Sequence, residues 1–188
     1  MSDRLTGLCP IVRGDTCVVV LGSFPGAASL RAQQYYAHPR NQFWPIMAAL
    51  VGVDLVRMPY DERLGRLLDS GIGLWDVYAE CARVGSLDSA IRAPVLNDLG
   101  GLVRTARGLR AFLHNGGESA KHGQGLASLG IPSVRLPSTS PANASWPIGR
   151  KVEAWRGALA SFGGVGLGCH QQPASGPLPV VAPARRPG

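Results

Sequence analysis

Apolar residues fall in short blocks along this chain, and two rhythms sort the blocks into strands and helices. Thr16 to Leu21 (TCVVVL) is a continuous β-branched run that stops at Gly22, the pattern of a strand covered on both faces. Ile72 to Val77 (IGLWDV) reads the same way. So do Leu109 to Leu113 (LRAFL), which breaks at Asn115-Gly116, and Ser133 to Leu136 (SVRL), which stops at Pro137. Between these runs the apolar positions step by three and four. Asn41 to Leu50 places Phe43, Ile46, Met47 and Leu50 on one helical face, and Asp61 to Leu68 does so with Leu64, Leu67 and Leu68. Asn97 to Ala106 follows with Leu99, Leu102, Val103 and Ala106. Ile148, Val152, Trp155, Leu159 and Phe162 make the cleanest amphipathic stripe of the chain.

Strands alternating with helices require crossover connections, which predict a mainly parallel sheet covered on both faces. Sheets of this kind bind ligands beyond the carboxyl ends of their strands. From Gly163 the pattern dissolves into Gly, Pro, Ala and small polar residues (GGVGLGCHQQPASGPLPVVAPARRPG). Such a segment buries too little apolar surface to offset its ordering entropy, so residues 163–188 read as a disordered tail and residues 1–162 as one folded unit.

Composition alters this picture in two respects. Nineteen Lys and Arg against 12 Asp and Glu give a formal charge of +7. Arg185 and Arg186 account for two of those charges and leave a body that is still basic, which suits a polyanion partner and equally suits plain solubility. The four cysteines (Cys9, Cys17, Cys81 and Cys169) form no C-x-x-C pair and no zinc-site spacing with histidine, so isolated thiols are expected and a metal is not. The N-terminus lacks the pattern of a signal peptide, and no apolar run approaches the ~20 residues of a membrane span. These features predict a soluble, cytoplasmic protein with no membrane contact; a monomer is expected.

Candidate chemistry gathers after the strands. Gly22 to Trp44 (GSFPGAASLRAQQYYAHPRNQFW) begins with a tight Gly-Ser-Phe-Pro-Gly turn and continues as a loop of about fifteen residues before the next helix, long for a compact domain. It carries Tyr35, Tyr36, His38, Arg40 and Asn41. Each has a plain alternative: half-buried packing for the tyrosines, an ordinary loop histidine, a helix N-cap for Asn41. Leu136 to Ser145 (LPSTSPANAS) is stiff, small-sided and uncharged, able to approach a phosphate backbone closely or to serve as a surface turn. The first turn lacks the glycine patterns of a nucleotide-cofactor loop.

Taken in order, G-S-F-P-G after a strand, then Y-Y-A-H-P-R-N-Q-F-W, then L-P-S-T-S-P-A-N, resemble the hypoxanthine-DNA glycosylase branch (family 6) of the uracil-DNA glycosylase superfamily. Gly73 to Ile91 (GLWDVYAECARVGSLDSAI) and His114-Asn115-Gly116 share in the resemblance, which runs from about Cys17 to Phe162. It implies a three-layer α/β/α sandwich around a short, mainly parallel four-stranded sheet. It also implies an enzyme that flips a deaminated base, most readily hypoxanthine, out of DNA and hydrolyses its bond to deoxyribose. Relatives with G-x-N-P-G place a catalytic Asn where Phe24 stands here. In the branch resembled, that role belongs to the Asn of H-P-R-N, which is Asn41.

By the same resemblance Phe24, Tyr36, His38, Asp76, Ser86 and Asn115 surround the base. Asp76 stands where related enzymes often keep an amide that reads the base edge; here it would accept the N1–H of hypoxanthine and leave O6 to backbone donors near Asn115-Gly116. Phe24 as ordinary core and Asp76 as a turn cap remain competing accounts. Arg40, Ser138, Thr139, Ser140 and Asn143 would meet the DNA backbone or the gap left by the base. No cofactor is implied, and no lysine stands out for lyase chemistry: Lys121 and Lys151 are the only two, both in predicted helices. A uracil or mismatch glycosylase and a non-catalytic DNA-binding relative are the alternatives.

Overall fold

The computed structural model describes residues 4–163, so the expected tail falls, apart from Gly163, outside the described residues. Its centre is a four-stranded sheet in the order β3-β2-β6-β7, with β2 (Val18–Gly22), β3 (Ile72–Asp76), β6 (Ala111–Asn115) and β7 (Ser133–Leu136). All three pairings are parallel, and Val18 sits opposite both Ile72 and Ala111. Every residue of β2 is buried, as a central strand covered on both faces must be.

The pleat sends alternate side chains into two cores. Val18, Val20, Ile72, Leu74, Ala111, Leu113 and Leu136 meet α2 (Phe43–Val51), α3 (Tyr60–Asp69) and α7 (Ile148–Ser161) through Phe43, Ile46, Met47, Leu64, Leu67, Trp155 and Leu159. On the other face Val19, Leu21 and Phe112 meet Leu99 and Leu102 of α4 (Leu99–Thr105) and Leu126 of α6 (Gly123–Leu126). The sheet is parallel and covered on both faces, as the alternation predicts, and the three-layer α/β/α arrangement is the one the resemblance implies.

Three features depart from the sequence reading. The stretch after Gly22 is not loop throughout: α1 (Ala27–Ala32) occupies part of it and ends on Gln33 in the left-handed region, φ 52°. Six residues are too few to register as a helical period. The run Ile72–Val77 does not continue as one strand; the chain bends at Val77 into β4 (Tyr78–Ala82), which pairs antiparallel with β1 (Arg4–Thr6) and β5 (Arg92–Leu96) in a second, three-stranded sheet. All of β5 is exposed, so it carries no alternation that a sequence reading could detect. Lys121 follows the four-residue α5 (Gly117–Ala120) as its cap, whereas Lys151 lies in α7 as expected.

Candidate active site

The chain leaves β2 towards one face of the sheet and β6 towards the other, which opens a crevice at their carboxyl ends. A cavity of about 530 Å³ fills it. Its wall is built by the turn Gly22–Gly26 after β2, the segment Tyr35–Asn41, Asp76 ending β3, Ser86–Ser89, Asn115 ending β6, and Ser138–Asn143 beyond β7. Every residue singled out from the sequence lies on this wall: Phe24, Tyr36, His38, Arg40, Asn41, Asp76, Ser86, Asn115, Ser138, Thr139, Ser140 and Asn143.

The turn after β2 is fastened to the β3–β4 bend by two backbone bonds, Val77 N–H to the Gly22 carbonyl (2.9 Å) and Tyr78 N–H to that of Ser23 (3.0 Å). Gly22 has a local steric reason to be glycine. A Cβ there would collide with Asp76 Oδ1 and stand 3.7 Å from the Tyr36 hydroxyl. Asp76 is 4% exposed, and its Oδ2 is buried without a hydrogen-bond partner. Burial, reinforced by the charge of Asp88 and opposed by that of Arg83, pushes its carboxyl up to about 7.

Tyr36 stacks on Phe43 with ring centroids 3.9 Å apart and holds a left-handed backbone, φ 56°. Non-glycine residues adopt that conformation only where surrounding contacts impose it. Those contacts come from Tyr35, whose N–H donates to the Tyr60 hydroxyl (2.8 Å) and whose carbonyl accepts from Trp44 Nε1 (3.1 Å). The Tyr36 hydroxyl is buried with no partner in hydrogen-bonding geometry, and burial raises its pKa well above the usual tyrosine value.

Asn41 is half-buried on the cavity wall. Its Oδ1 accepts from Phe43 N–H at 2.9 Å, so it also braces the first turn of α2. The two accounts of Asn41 are therefore compatible: the brace fixes the rotamer, and no described residue accepts from Nδ2. His38 accepts from Arg40 N–H through Nδ1 (3.1 Å), which leaves the Nε2 edge for other work.

Asn115 and Thr139 form a clasp. Asn115 Nδ2 donates to Thr139 Oγ1 and Thr139 N–H donates to Asn115 Oδ1, both at 2.9 Å, while Gln42 N–H donates to the Thr139 carbonyl at 3.0 Å. Thr139 is fully buried. It was expected at the DNA backbone, but its hydroxyl and N–H are used inside the fold, where they hold the late loop against β6. The backbone donor expected at Gly116 is likewise occupied, by the carbonyls of His114 (2.9 Å) and Leu136 (3.1 Å).

From below, Lys151 Nζ donates to Gln42 Oε1 (2.8 Å) and to the Asn143 carbonyl (2.9 Å), and Trp155 Nε1 donates to the Pro137 carbonyl (3.2 Å). Ser138, Ser140 and Asn143 are left at the partly open surface of this anchored loop. Ser86 accepts from Ala27 N–H at 2.9 Å and ties the opposite rim to α1.

Sequence reasoning passed over Ser23, Ser29, Asp88 and Arg83. Ser23 donates to Asp88 Oδ1 at 2.6 Å, and Ser29 Oγ accepts from Ala37 N–H at 3.2 Å. Asp88 and Arg83 lay inside the resembling segment Gly73–Ile91, so position in that segment was the only available signal.

No family model matches the chain. It is 36% identical over 137 residues to a hypoxanthine DNA glycosylase of Methanosarcina barkeri, covering 73% of this chain and 87% of that protein. The protein of that name from Methanosarcina acetivorans is 35% identical over 147 residues, covering 78% and 93%. The chain belongs to the hypoxanthine DNA glycosylase family. A solution structure of a candidate uracil DNA glycosylase from Methanosarcina acetivorans superposes with a TM-score of 0.74 at 32% identity, covering 82% of this chain and 98% of that one. The fold of this family member is thus that of a uracil-DNA-glycosylase-like protein. Among its described residues no helix is long and apolar enough to cross a membrane, and no cluster of His, Cys, Asp and Glu suits a metal.

Proposed function

We propose that this family member removes hypoxanthine from DNA by hydrolysing the N-glycosidic bond of an everted deoxyinosine. One observation carries the reading: Asn41 and the aromatic, carboxylate and small hydroxyl residues named from sequence share the wall of one cavity, whose volume of about 530 Å³ suits a single everted nucleotide. The reaction makes a sugar cation and a base anion, so the protein must stabilise charge and supply a water. Asn41 is a neutral amide and a poor base; with Oδ1 engaged by α2, its Nδ2–H₂ orients the water or holds the sugar.

Phe24 and Tyr36 offer aromatic surface to the base, and His38 lines the deoxyribose side. Asp76, with Oδ2 unpartnered, accepts the N1–H of hypoxanthine. Arg40, Ser138, Ser140 and Asn143 meet the phosphates flanking the lesion, while Thr139 and Asn115 keep that loop in place. Lys151 is buried and bound to Gln42 and the Asn143 carbonyl, which supports simple hydrolysis rather than an amine-linked intermediate. The protein works as a monomer in this scheme, and residues 1–162 form its catalytic unit.

A uracil substrate is the second reading. Uracil also presents an N–H beside a carbonyl, and the structural neighbour is named for uracil. Duplexes carrying hypoxanthine, uracil or xanthine, incubated with the protein and cut with alkali at abasic sites, rank the substrates. Strand scission at hypoxanthine is the expected result. Release of uracil but never hypoxanthine would replace the first reading with the second, and release of no base would remove both.

A further inference from the structure

Behind the cavity wall, and not part of its lining, lies a buried cation to which the chemistry above gives no task. Arg83 follows β4 and is 5% exposed. Its Nη2 donates to the Pro25 carbonyl, while Nε and Nη1 are buried with no hydrogen-bond partner. Its Cζ stands 5.0 Å from the centre of the Phe24 ring, and both Phe24 and Pro25 line the cavity. An arginine stays charged at any working pH, and leaving one buried with open donors is costly unless negative charge comes near. Burial draws its pKa down, and the charges of Cys81, Asp88 and Asp76 oppose that.

We propose that Arg83 is a positioning residue for the leaving group: its charge, held behind Phe24, stabilises the base anion that forms as the glycosidic bond breaks. The proposal rests on the glycosylase reading above. In the step concerned, the C1′–N bond breaks and its electron pair stays on the base nitrogen. The cationic C1′ then takes the oxygen of water, and the water's proton passes to solvent or to the departed base. A neutral bound base feels the guanidinium weakly, and the departing anion feels it fully, so the interaction lowers the barrier instead of only tightening binding.

A base stacked about 3.5–4 Å beyond the Phe24 ring, whose centre is 5.0 Å from Arg83 Cζ, lies about 9 Å from the guanidinium. At an effective dielectric constant of about 20, a unit charge at that distance changes the rate roughly twentyfold. The nearby carboxylates Asp76 and Asp88 are present in parent and variant alike, so the change on replacing Arg83 reads the guanidinium charge itself.

The test compares excision of hypoxanthine with that of 8-azahypoxanthine, a nearly isosteric base that departs more readily as an anion. Single-turnover rates are measured for the parent, Arg83→Met and Arg83→Lys. Arg83→Met is expected to lose about twentyfold on hypoxanthine and clearly less on 8-azahypoxanthine, with Arg83→Lys restoring most of the difference. Equal losses on both bases would show a merely structural role and overturn the proposal, as would an unchanged rate. Should Arg83→Met fail to fold, Arg83→Gln, which keeps a donor for Pro25, enters the same comparison with the same outcomes. If the parent releases neither base, the hypoxanthine reading on which this inference rests falls. If the parent is active but the ratio of the two rates does not move, this inference falls alone.

Discussion

Replacing Asp76 by Asn should make the protein more stable in alkali and worse at its work. The carboxyl has a folded-state value of about 7 against 3.8 for an ordinary aspartate, raised chiefly by burial and further by Asp88. Because the folded value is the higher one, the folded state binds the proton more tightly. The side chain is therefore without electrostatic cost below pH about 4 and destabilises progressively as pH rises to 7 and just beyond. A difference of about three pH units corresponds to roughly 4 kcal/mol once titration is complete. Asn keeps the shape and cannot ionise.

Unfolding of parent and variant by heat and by urea, from pH 4 to 8.5, measures the difference. An Asn amide without partners adds a cost that does not vary with pH, so the change in the difference is the informative quantity. It should grow in the variant's favour by about 3–4 kcal/mol across that range, or roughly 6–16 °C in midpoint for a domain of this size. Excision of hypoxanthine by the variant should fall about ten- to hundredfold, because a neutral carbonyl replaces a charged acceptor for the N1–H. A stability difference that stays flat with pH, or that moves in the parent's favour as pH rises, would refute the account of Asp76 as a buried carboxyl retained for the substrate.

Three further outcomes follow from the geometry. Asn41→Ala should cost about 1 kcal/mol through the lost brace on Phe43 N–H, and should lower excision at least a hundredfold; Asn41→Asp should restore the stability and not the excision, and full activity in either variant would end the assignment. Gly22→Ala drives a methyl into Asp76 Oδ1 and should cost about 1–3 kcal/mol, with base release reduced even where the protein is fully folded by circular dichroism; an unaffected rate would mean that Asp76 does not set the base edge. DNA affinity, measured by fluorescence anisotropy, should fall steeply as salt rises, and a flat response would make the basic balance incidental.

Much of the fold was legible because it rests on runs with a clear period. The β2 run is apolar throughout because both of its faces are covered, and Ile148 to Phe162 alternates by threes and fours because one face of α7 packs on the sheet. The antiparallel sheet was hidden for the opposite reason. Its strands are short, and exposed β5 has no face to bury, so hydrophobicity left no trace of it. The candidate site was legible as a set because most of its residues end or follow β2, β3, β6 or β7, strands that sequence can recognise; Ser86, beyond the hidden β4, was named through the resemblance alone. The division of labour within the set was not. Thr139 and Asn115 look no different in sequence from Ser138 or Asn143, and only the reciprocal 2.9 Å bonds separate the pair that holds the loop from the residues it presents.

Local chemistry along the chain was thus sufficient for strands, helices, their parallel sheet and the polar segments that follow it, since each depends on residues close in sequence. Proximity across the fold decided the rest. Burial lifts the Asp76 carboxyl to about 7 because Gly22, more than fifty positions earlier, leaves room for it against the cavity wall. Arg83 becomes a buried cation because the β3–β4 bend brings it against Phe24. Desolvation and Coulomb forces act over ångströms in space, and no spacing in a linear sequence records them.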